Sequence, residues 1–114
     1  MAANSGSLLR ERGKTWANSY EARGNILYRI GDYREATNDY KKALELASSD
    51  FRARQEDSYV GLARCYMQTA KLKEAHDVLE KAPLPAARMA ELAKEPVFAK
   101  LVEHPKYGAI FRGQ

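Results

Sequence analysis

Few residues in this chain could make or break bonds. Cys65 is the single cysteine, and His76 and His104 are the two histidines. A nucleophilic thiol needs a base poised beside it. Cys65 falls in a helical stretch with none in view, where the expected role is a small buried apolar residue. The two histidines are far apart and share no metal-ligand spacing with Cys65, and His76 reads as a solvated side chain on the exposed side of its helix. Glu35 and Asp39 stand four apart on one helix. With Lys42 in reach they read as a solvated charged face rather than an acid–base pair. Gly108 and Gly113 are isolated, so no phosphate-cradling loop is present. The residues point to no enzyme activity, no metal and no cofactor.

A lone cysteine cannot form an intramolecular disulfide, which fits a reducing compartment. The expected location is cytoplasmic. The acid-poor, Ser- and Arg-containing start MAANSGSLLRERGKTW gives mitochondrial as the alternative. No apolar run approaches the ~20 residues of a membrane span. Net charge is +4, from 19 basic and 15 acidic residues, without any block of Lys and Arg. Arg10, Arg12, Lys14, Trp16, Arg23 and Arg29 could form a basic edge with an aromatic beside it, as weak RNA association needs. The sparse charge argues against nucleic acid as the main partner, and Trp16 reads as a packed edge residue.

The elements that carry these residues are helical. At 114 residues the chain fits one small domain. Residues 1–14 are expected to be a flexible lead-in. Thr15 is placed to cap the first helix, with Trp16, Tyr20, Leu27 and Ile30 at helical spacing. Gly31-Asp32 stops that helix and starts the next, whose stripe is Tyr33, Ala36, Tyr40, Ala43 and Leu44. Ser48-Ser49-Asp50 is a turn, and a third helix follows from about Phe51 to Gln68. A fourth spans Leu72 to Lys81 and is ended by Pro83. A fifth runs from Ala86 to Lys94. Residues 95–114 then hold two nine-residue units in register, EPVFAKLVE and HPKYGAIFR. Proline favours the first helical position, so each unit predicts a short helical turn. No strand pattern competes, and the fold class is all-α.

Aligning Ala36 with Ala75 brings out a repeat. The first unit has Tyr20, Gly24, Leu27, Gly31-Asp32-Tyr33, Glu35-Ala36, Tyr40 and Ala43. The second has Tyr59, Leu62-Ala63, Tyr66, Leu72, Glu74-Ala75, Leu79 and Ala82. Small residues let antiparallel helices approach, and aromatics fill the space beside them. This pattern resembles the tetratricopeptide repeat, a helix–turn–helix unit of ~34 residues. Residues 17–50 fit closely. Residues 56–83 depart from it, with Ala63 for Gly and Ala70-Lys71 for Gly-Asp, and the spacing of the two units is longer than the usual period. The resemblance implies a short α–α superhelix over residues 15–94, with the fifth helix as cap and Met89 and Leu92 packing on the second repeat.

It also implies a function, that of a non-catalytic module binding a peptide or helical segment of a protein partner. The first helix of each unit would line the concave groove, placing there Asn18, Glu21, Asn25, Tyr28, Arg29, Asp57, Val60, Arg64, Met67 and Gln68. Co-chaperone members clamp a partner's terminal carboxylate with Lys, Asn and Arg side chains. Asn25 matches one such position. Glu21 stands where the first Lys would be and Gly61 where the second Asn would be, which speaks against a carboxylate clamp. The tail resembles the Asp-Pro modules found beside such repeats, with Glu95 and His104 in place of the Asp. Fold-back over Met89 and Leu92 ranks first for it. Second is docking on a partner through Phe98, Leu101, Tyr107, Ile110 and Phe111, which would make the protein a structural subunit of a larger assembly.

Overall fold

The computed structural model describes residues 2–47 and 55–112, with side chains described for 16–47 and 55–112. The Ser48-Ser49-Asp50 turn, the expected helix start at Phe51 and the side chains of Arg10, Arg12 and Lys14 lie outside the described residues. The elements of the described residues are all helical, six α-helices and two 3-10 turns: α1 (Ala2–Arg29), α2 (Tyr33–Leu46), α3 (Glu56–Gln68), α4 (Leu72–Lys81), α5 (Ala86–Ala93), a 3-10 turn (Pro96–Phe98), α6 (Ala99–Glu103) and a final 3-10 turn (Tyr107–Arg112). Helix α1 is continuous from Ala2, so the polar lead-in is helical and Thr15 lies inside the helix, not at its cap.

Two hairpins, α1–α2 and α3–α4, turn in the same way. After α1, Gly31 takes a left-handed φ of 87°. The amides of Gly31 and Asp32 return to the carbonyls of Tyr28 (3.1 Å) and Leu27 (2.9 Å), which satisfies carbonyls that the helix end would orphan. Asp32 Oδ1 then accepts from the Glu35 amide and caps α2. The second hairpin repeats these bonds. Ala70 and Lys71 donate to Met67 (3.1 Å) and Tyr66 (2.8 Å), but the left-handed residue is now Ala70, at φ 59°, and Lys71 offers no capping acceptor. A Cβ in that region costs ~1–2 kcal/mol. Ala70→Gly is therefore expected to stabilise the domain by ~0.5–1 kcal/mol, part of the relief being offset by the greater freedom of glycine in the unfolded chain. Urea unfolding measures this, and an unchanged or lower midpoint would contradict it.

Small residues set the helix crossings: Ala17, Ala36, Ala43, Ala63 and Ala75 are all fully buried. The stripe expected along α2 holds for Ala36, Tyr40 and Ala43, while Tyr33 and Leu44 are half-buried. Tyr40 is the large residue at the centre. Its ring lies beneath two helical glycines, Gly24 of α1 and Gly61 of α3, where an added Cβ would come to 3.0 Å and 2.4 Å of ring carbons. Glycine is required here by close approach rather than by backbone angle.

The tail folds back. Leu92, Phe98 and Leu101 are fully buried and join the core formed by Ala36, Tyr40, Val60, Cys65 and Leu79. Val97, Val102, Tyr107, Ile110 and Phe111 pack on its edge, as does Met89. The Phe98 and Phe111 rings stand 6.3 Å apart. His104 Nδ1 accepts from the amides of Lys106 and Tyr107 at 3.0 and 3.1 Å, so the imidazole caps the last turn as a carboxylate would.

Further sequence expectations are corrected. Asp39 is buried and takes a forked ion pair from Arg23, at 2.6 and 2.7 Å, so it is not part of a solvated face. His76 is mostly covered: its ring lies against Tyr107 (4.9 Å) and beside Asp77 (3.0 Å). Trp16 is 52% exposed rather than packed, and Ile30 is 72% exposed. Phe98 and Leu101 are inaccessible, so neither can act as a docking hook.

Candidate functional site

Helices α1 and α3, the first of each hairpin, lie side by side with α2 behind them. Their adjoining faces form an open, polar cavity of about 280 Å³, lined by Asn25, Tyr28, Arg29, Tyr40, Asp57 and Arg64. Five of these are groove residues expected from the repeat offset. Tyr40 is the addition, reaching up from α2 to donate its hydroxyl to Asn25 Oδ1. Its helical stripe placed it correctly in the core, but only the glycines on both sides show that its tip reaches the groove.

A second cavity, of about 560 Å³, continues along the same side and is lined by Met67, Gln68, Ala70, Leu72, Pro96, Val97 and Lys100. Gln68 Nε2 donates to the Tyr28 hydroxyl (3.1 Å) and so ties the wall of the second cavity to the wall of the first. The tail supplies one bank of this stretch. Its residues carried no sequence signal of a groove role, because their placement depends on the fold-back.

The other expected groove residues are placed differently. Val60 is fully buried. Helix α3 touches α1, α2, α4 and the first 3-10 turn, so almost no side of it stays free, and Ser58, Leu62 and Cys65 are buried with Val60. Glu21 is held at the α1–α3 seam, where its Oε1 accepts from the Ser58 hydroxyl at 2.6 Å. Asn18 is exposed on α1 and lines neither cavity.

Arg64 is committed within the chain. Its Nε and Nη2 donate to the two Glu95 carboxylate oxygens at 2.9 and 2.8 Å. This fork holds the guanidinium above its ordinary pKa, the hydrogen bonding to Glu95 outweighing the cost of burial. Forked Arg–carboxylate pairs carry geometric specificity as well as energy. Among the described residues the site therefore presents one unpaired cation, Arg29, and one acid, Asp57, which stands 3.5 Å from Arg88 of α5. Burial, the largest cause, pushes the Tyr40 phenol well above its usual range, so it serves here as a neutral donor. Burial likewise pushes the Cys65 thiol up to about 11, and the thiol is inert at neutral pH.

Among the described residues no cluster of His, Cys, Asp and Glu could hold a metal ion, and no helix is long and apolar enough to cross a membrane. A family model described as the tetratricopeptide repeat matches residues 16–82, which takes in α1 from Trp16 onward together with α2, α3 and α4, and stops short of α5 and the tail. No curated protein and no solved structure matches the chain.

Proposed function

The chain belongs to the tetratricopeptide repeat family, and we propose that it is a non-catalytic interaction module that seats a peptide or helical segment of a partner in the α1–α3 groove. Domains of this family generally mediate protein–protein contacts through such a groove. The observation that carries the reading here is the linked pair of open cavities, one polar and centred on Tyr28 and Arg29, the next more apolar and banked by the tail. Polar groups that orient, beside apolar area that is buried on docking, are the usual parts of a peptide site.

A carboxylate clamp is not part of the proposal. Glu21 holds Ser58, Gly61 has no side chain and lies over Tyr40, and Arg64 already holds a carboxylate. Nor does the proposal use the tail as a free hook, given the burial of Phe98 and Leu101.

The test places a photo-crosslinking amino acid at Tyr28 and, as control, at Glu45, which is exposed on α2 outside the groove. Cross-linking to a discrete partner is expected from position 28 alone. The same experiment in an Arg29→Glu background should lose the adduct while the fold persists, since exposed substitutions usually change stability by about 0.5 kcal/mol or less. Equal cross-linking from both positions, or adducts insensitive to Arg29→Glu, would move the site elsewhere.

A further inference from the structure

Behind the groove, where α2 meets the end of α3 and the Ala70-Lys71 turn, lies a cavity of about 370 Å³ whose charged lining is Arg34, Lys41 and Lys71. No carboxylate of the described residues lines it. Arg34 and Lys41 stand two helical turns apart on one face of α2, ~10 Å along the axis, and Lys71 comes from the turn between α3 and α4. Neither Arg34 nor Lys71 has an ion-pair partner among the described residues. The acids of α2 that do pair are used elsewhere, Asp39 on Arg23 and Glu45 on Lys42.

The rest of the lining is chosen by type as well. Asn38 adds an amide between the two α2 cations. The floor is the Tyr66 ring, over which the Lys41 ammonium sits at 5.8 Å from the centroid. Thr37 and Thr69 also line the cavity, but their hydroxyls donate to the carbonyls of Tyr33 (2.7 Å) and Cys65 (3.0 Å). They therefore act as satisfied walls rather than donors. The result is an apolar floor with three cationic side chains around it. Three like charges around one cavity repel one another unless an anion joins them.

We propose that this cavity is a binding site for a phosphomonoester, distinct from the groove. The planar fork of Arg34 and the point charges of Lys41 and Lys71 suit the oxygens of a dianionic phosphate, Asn38 adds an uncharged donor, and the Tyr66 floor takes the carbon to which the ester is joined. An open pocket of this size has room for one phosphorylated group; a polynucleotide would need an extended basic track.

The full chain, labelled with 15N, is titrated by NMR at low ionic strength with O-phosphoserine, inorganic phosphate and a neutral peptide carrying one phosphoserine. Saturable shifts are expected at the amides of Asn38, Thr69 and Lys71. Arg34→Gln and Lys71→Gln should each weaken phosphoserine binding about tenfold, the loss of one charge-assisted bond. Lys81→Gln, remote from the cavity, should leave it unchanged. Tighter binding of the peptide than of O-phosphoserine would identify a modified protein as the source. Equal binding would identify a small phosphate ester and sustain the same site. Shifts that fail to saturate, shifts equally weakened by Lys81→Gln, or displacement of phosphoserine by a single-stranded RNA at far lower concentration would overturn the proposal.

Discussion

Gly61→Ala is expected to destabilise the domain by ~2 kcal/mol, although alanine is the better helix former by about 1 kcal/mol. The new Cβ would lie 2.4, 2.6 and 2.8 Å from three carbons of the Tyr40 ring, closer than real side-chain atoms approach. The ring has no easy retreat. It is 2% exposed, lies under Gly24 on its other side and is held by its hydroxyl on Asn25. Relief must come from moving α3 away from α1 and α2, which opens the crossing on which both hairpins rest. Overpacking of this kind typically costs ~1–3 kcal/mol, occasionally more. For a domain of this size each kilocalorie lowers Tm by about 4–8 °C. The cause can be isolated by a double-mutant cycle. Tyr40→Leu leaves room for the methyl, so Gly61→Ala should cost much less in that background. Additive losses, or wild-type stability for Gly61→Ala alone, would show that the ring is not the obstacle.

The second large effect is expected from Phe98→Ala, a loss of ~3–5 kcal/mol, much of the 5–15 kcal/mol that holds a typical domain together. Phe98 has no exposed surface and joins Leu92 and Leu101 to the core of the second hairpin. Its removal leaves a ring-sized void and deprives Phe111 of its neighbour. Denaturant unfolding should show a lower midpoint in a single transition, because the tail completes the repeat core and does not hang from it. Were the tail an independent hook, the same substitution would leave the unfolding midpoint in place and improve solubility. That outcome would contradict the burial described above.

The parts of the fold that were legible in the sequence are those specified locally. Gly31-Asp32 names its own turn, because a left-handed residue and a cap are adjacent in the chain. The stripe Ala36–Tyr40–Ala43 names its own face. Ala70-Lys71 looked like an erosion of the repeat, yet the same pair of backbone bonds forms there, at the strain of one alanine. Repeat offsets placed Asn25, Tyr28, Arg29, Asp57 and Arg64 on one face, and these five line a single cavity.

What escaped depends on contacts between distant segments. Asp39 read as solvated because a charge on a helix usually is, and its partner Arg23 lies on the opposite helix of the hairpin. Val60 fell to the groove by offset but to the core in fact, because the tail covers the side of α3 that a lone hairpin pair would leave open. Glu95 had no local sign of reaching Arg64. His76 likewise gains its cover from Tyr107, a residue of the final turn.

The Arg64–Glu95 fork has a consequence for selectivity. Glu95 is tethered, so it meets Arg64 at an effective concentration of about a millimolar or more. A partner's acidic residue free in solution at micromolar levels cannot displace it on charge alone. Binding that claims this guanidinium is an exchange, in which a carboxylate of the chain's own is released one residue before Pro96 and three before the buried Phe98. On the proposed reading, occupancy of the groove and the seating of the last turns thus draw on one side chain, and acidity by itself is a poor credential for entry.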